Sequence, residues 1–156
     1  LGMDPFLYAL AFAVGALGIV SANLLNARIA PRIGPGRMLT FGVGLLGCGA
    51  AALGVLVWSG LLSPGLFIAC ALLLTAGAGF TMSNASALAL ARTPTVRGSG
   101  AAVLGAAQFL LGAVASPIVG AWGEVTAVPM AVVIGAAVLL AAGFRLLAHH
   151  RLRSIA

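Results

Sequence analysis

The sequence has no lysine and only two acids, Asp4 and Glu124, among its 156 residues. Charged residues make up 6% and hydrophobic residues 62% of the chain, where a soluble domain has roughly 25% charged and roughly 45–50% apolar residues, glycine included. Too little polar side chain is left to cover a fold in water. A soluble enzyme, a secreted disulfide scaffold and a disordered tail are all excluded. The two cysteines, Cys48 and Cys70, lie inside apolar runs without CxxC spacing and read as small packing residues. The shortage of acids also limits chemistry. No carboxylate falls within an apolar run, and there is no HExxH, no acid pair and no Ser-His-Asp set at one depth. That argues against an enzyme, and it predicts no cofactor and no metal site. A proton-coupled carrier needs a titrating group within the membrane, so any coupling residue is expected outside this chain.

What the chain has is apolar length. Mean hydropathy is +1.20. Five stretches, at about 5–27, 38–59, 64–91, 98–121 and 128–148, approach or exceed the roughly 20 residues needed to cross a bilayer as helix. The expected class is an all-α membrane protein, one helical domain with the lipid bilayer as its solvent. All eight basic residues are Arg, and they alternate by connection. Arg28, Arg32 and Arg37 follow the first span, Arg92 and Arg97 follow the third, and Arg145, Arg151 and Arg153 lie at or beyond the end of the fifth. The second connection carries no charge and the fourth carries only Glu124. Arginine is retained on the cytoplasmic side, so the N-terminus is expected outside and the C-terminus in the cytoplasm. Aromatic residues are not interleaved with the arginines, so a nucleic-acid partner is not expected. Five spans starting outside, with Leu1 first, predict a missing upstream span and a chain that is part of a longer one.

Polar side chains divide the spans. The second and fifth have almost none in their middles and are expected to face lipid. The first carries Asn23 and Asn26, the third Thr75, Thr81, Ser83, Asn84 and Ser86, and the fourth Gln108 and Ser116. An amide in hydrocarbon needs a partner or water, so these three spans are expected to face a bundle interior. The candidate substrate cavity is Asn23, Asn26, Thr81, Ser83, Asn84 and Gln108, with Tyr8, Phe12, Phe80 and Phe109 nearby. Neutral amides and rings suit an apolar or amphipathic small-molecule substrate. The alternative is that the amides only bond helix to helix. Small residues recur at close-packing spacing: Gly44 with Cys48, Gly47 with Ala51, Gly77 with Thr81, and Gly79 with Ser83. In the fourth span Gly112, Ser116 and Gly120 enclose Pro117, which removes a backbone donor and bends the helix. That set is the candidate moving part.

The stretch from Asn26 to Arg37 holds two prolines, two glycines and three arginines. It reads as a tight cytoplasmic turn whose guanidinium forks bond helix-end carbonyls, a latch made by Arg28, Arg32, Gly34 and Arg37. This stretch resembles the second copy of the signature loop of the major facilitator superfamily, with Pro31 where an Asp is usual and Pro35-Gly36 inserted before Arg37. The run from Ser83 to Leu90, then Arg92-Thr93-Pro94, Gly98 to Gly105 and Gln108 to Ala113, is similar to Bcr/CflA-type drug-resistance transporters. Gly112, Ser116, Pro117 and Gly120 resemble a degenerate copy of the superfamily's antiporter motif.

The resemblance covers essentially the whole chain as spans eight to twelve of twelve, part of the C-terminal half of that fold. It implies a secondary active transporter, proton-coupled efflux of drug-like molecules, in the bacterial inner (plasma) membrane. Its partners would be the missing N-terminal spans of the same transporter. The rival expectation is a non-transporting membrane subunit that docks its helices on a partner.

Overall fold

The computed structural model describes residues 5–92, 95–121 and 127–153. Asp4, Thr93, Pro94 and Glu124 lie outside the described residues, as do the side chains of His149, His150, Arg151 and Arg153. Five helices follow in order: α1 Pro5–Ile33, α2 Pro35–Trp58, α3 Pro64–Ala91, α4 Arg97–Ala121 and α5 Val128–Arg153. Each is long and apolar enough to cross a membrane, which agrees with the expected all-α membrane class.

Local chemistry sets the helix ends. Gly60 (φ 71°) stops α2. The Gly60 and Leu61 amides donate to Val57 and Leu56 carbonyls at 3.3 and 3.2 Å, the paired bonds of a glycine-terminated helix. Ser63 Oγ then accepts from the Leu66 amide at 3.4 Å and caps α3, with Pro64 in its first turn.

The first connection differs from the expected turn. Helix α1 continues through Arg28, Pro31 and Arg32, and only Gly34 separates it from α2. Gly34 has φ 94°, a conformation glycine adopts without steric cost. Its amide still bonds the Ala30 carbonyl at 2.8 Å, and Pro35 starts the next helix. The latch segment is thus helix, a one-residue break, then helix.

Helix α3 is the centre of the packing. It lies between α1 and α2, α2 also packs on α5, and α4 makes only slight contact with α3 and α5. Gly77 faces α2, where an added Cβ would stand 2.9 Å from the Leu46 backbone nitrogen. Gly79 faces α1, where a Cβ would stand 3.0 Å from the Ala22 Cβ and 3.1 Å from the Ile19 carbonyl oxygen. Two small residues two positions apart therefore open opposite sides of one helix. Gly15 and Gly18 meet Thr75, Gly42 meets Thr81, and Gly49 meets Leu74. These pairs run in parallel register between α1 and α3 and in antiparallel register between α3 and α2, so the basic ends of α1, α2 and α3 lie together.

The sorting of spans by polarity needs correcting at two helices. The second span was expected to face lipid, yet α2 is the main partner of α3 and holds Leu53 at 1% exposure. Its glycines allow backbone approach, and close packing in lipid needs no polar side chain. The fourth span was expected inside, yet α4 has no buried residue.

Candidate functional site

Polar bonds join α1 to α3 near the basic end of both helices. Asn84, 1% exposed, donates both hydrogens of Nδ2, to Asn26 Oδ1 at 2.7 Å and to the Phe80 carbonyl at 2.7 Å. One turn away on α1, Ser83 Oγ donates to Asn23 Oδ1 at 2.7 Å. Consecutive residues of α3 thus meet residues three apart on α1, the spacing of neighbours on one helix face. Asn26 and Asn84 are buried, whereas Asn23 is exposed on the flank of the seam. The Asn84–Asn26 and Ser83–Asn23 bonds both tie α1 to α3.

Along the same α1–α3 seam, toward the other end, lies an open apolar hollow of about 300 Å³. Tyr8, Phe12 and Gly15 of α1 and Phe67, Ala71 and Thr75 of α3 line it. Thr75 Oγ1 lies 2.8 and 3.1 Å from its own helix's Ala71 and Leu72 carbonyls, and the Tyr8 hydroxyl is a second polar group of the wall. Eight residues separate Thr75 from Ser83, which places the hollow roughly 12 Å from the amide pairs.

The remaining candidates are elsewhere. Phe80 is buried with Ala22 and Met38, its ring edge-to-face with Phe41 at 5.3 Å. Thr81 turns toward Gly42 of α2, and its Oγ1 is buried without a hydrogen-bond partner among the described residues. Gln108 and Phe109 are exposed on α4, Phe109 by 83%, and the structure does not bring them to Asn84. Pro117 lies inside an unbroken α4, and a Cβ at Gly112 or Gly120 would meet nothing within 4 Å.

At the basic end Arg28, Arg32 and Arg37 are exposed. Among the described residues, inter-helix bonds made at that end by an arginine come from α5. Arg145 Nη2 donates to the Gly36 carbonyl at 2.9 Å and Nε to Thr40 Oγ1 at 3.1 Å. In the sequence Arg145 reads only as a topology signal, because its acceptors are a backbone carbonyl and a hydroxyl that no motif marks. Among the described residues no three His, Cys, Asp or Glu side chains gather as a metal site. Protein-family models, curated proteins and solved structures give no match to this chain.

Proposed function

We propose that the chain forms part of the membrane domain of a secondary active transporter, a drug-efflux carrier of the major facilitator type in the bacterial inner membrane. In this reading the arginine-rich end is cytoplasmic, and spans outside this chain complete the bundle and supply the coupling residue. The observation that supports it most is the α1–α3 seam, which combines hydrogen-bonded amides near the basic end with an aromatic hollow further along. Interhelical hydrogen bonds hold two helices in register. The apolar walls of the hollow suit an amphipathic molecule, and the Tyr8 hydroxyl orients it. Helix α1 and helix α3 then move as one body, while α4, which packs on little here, turns Gln108 and Phe109 toward the added spans and the pathway between them.

The exposure of α4 equally favours a second reading, a membrane subunit that docks this helix on a partner. Substitution in the complete protein separates the two. Gln108→Leu removes an amide that bonds no other helix among the described residues. Transport predicts altered resistance to at least one substrate at unchanged expression. Unchanged resistance to every substrate, in both Gln108→Leu and Asn84→Ala, contradicts the transport reading. The genomic sequence upstream of Leu1 gives an independent check: seven further spans in frame support a carrier, and a start codon just upstream supports a subunit.

A further inference from the structure

At the basic end of α2 and α5 there is a cleft of about 510 Å³ lined by Arg37, Thr40, Phe41, Arg145 and Leu146. Its electrostatics are one-sided. Arg145 is held by its bonds to Gly36 and Thr40, in the first turns of α2, and Arg37 belongs to the same turn as Gly36. Two guanidinium groups therefore stand together beside the first turns of α2, an arrangement that a neighbouring anion would stabilise. Among the described residues there is no Asp or Glu to supply one. The face of α2 that carries Arg37 continues away from the basic end through Phe41, Gly44 and Cys48, all exposed, and a Cβ on Gly44 would meet nothing within 4 Å. Leu146 and Leu139 of α5 are 64% and 74% exposed.

From this arrangement we infer that the α2–α5 cleft binds an anionic phospholipid. The phosphate lies between Arg37 and Arg145, and an acyl chain runs over Phe41 and the open surface at Gly44. Two arginines at a membrane–water boundary are the chemistry that selects such headgroups. The apolar track beneath them separates a lipid from free phosphate, which would use the arginines alone.

The test uses the full chain in neutral detergent, with retained lipid counted by native mass spectrometry. The probes are phosphatidylglycerol and phosphatidylcholine with identical acyl chains. Retention of phosphatidylglycerol should exceed that of phosphatidylcholine about tenfold. Arg37→Gln leaves the Arg145 bonds in place and should bring the two lipids close to parity, with the melting temperature showing that the fold is kept. Arg92→Gln, outside the cleft, should keep the preference, and excess inorganic phosphate should not displace the lipid. The inference is overturned by equal retention of both lipids, by an unchanged preference in Arg37→Gln, by equal loss in Arg92→Gln, or by full displacement with phosphate.

Discussion

Helices α3 and α4 have similar composition and opposite surroundings. Both are apolar, both carry glycines four residues from a hydroxyl, and both hold an amide. In α3 Gly77 and Gly79 meet backbone on two sides and Asn84 is 1% exposed; in α4 a Cβ at Gly98, Gly105, Gly112 or Gly120 would meet nothing within 4 Å and no residue is buried. A small-residue ladder is thus permission for close approach. It becomes a contact only when a neighbouring helix presents a matching surface.

Substitutions should reproduce this contrast as stability differences in mixed-micelle unfolding. The largest effect is expected for Gly77→Leu, because the obstructing atom is the Leu46 backbone nitrogen at 2.9 Å. That change should cost about 3 kcal/mol through overpacking, whereas Gly112→Leu in α4 should stay within about 0.5 kcal/mol. Equal losses would break the comparison. Next is Asn84→Leu, which leaves the buried Asn26 oxygen without its donor and should cost about 1–2 kcal/mol. Gln108→Leu should leave the unfolding midpoint unmoved. Loss of both Arg145 bonds in Arg145→Gln should cost about 1 kcal/mol, the sum expected for two interhelical hydrogen bonds in lipid. A small shift of opposite sign is predicted for Thr81→Val. Its hydroxyl is buried without a partner among the described residues, so removing it should stabilise by about 0.5 kcal/mol.

Much of the fold is legible in the sequence, because span length and hydropathy are properties of each segment alone. The five helices and the grouping of arginines at one end follow from them. The i, i+4 pairs Gly77–Thr81 and Gly79–Ser83 also mark the correct faces of α3, one for each neighbour. Neighbour choice is not legible. Polar content suggested an outer α2 and an inner α4, but α2 packs through Gly42 and Gly49, which hydropathy does not distinguish from Gly44 and Gly47. For the site, the amides of α1 and α3 could be singled out because an unpaired amide in hydrocarbon is costly. Their pairing depends on the register between two spans, which no local pattern encodes. The role of Arg145 was hidden for the same reason, since its acceptors become adjacent only when α5 lies along α2.

The central claim is that α1 and α3 run side by side in parallel, joined at their small residues and amides, with α4 apart from that seam. The most direct measurement is disulfide formation in a background where Cys48 and Cys70 are replaced by serine. Ala22→Cys combined with Gly79→Cys brings two Cβ atoms to about the separation seen here, 3.0 Å, near the range a disulfide needs. This pair should oxidise rapidly in the membrane, while Ala22→Cys with Gln108→Cys should not. Cross-linking of 22 to 108 and none of 22 to 79 would contradict the account.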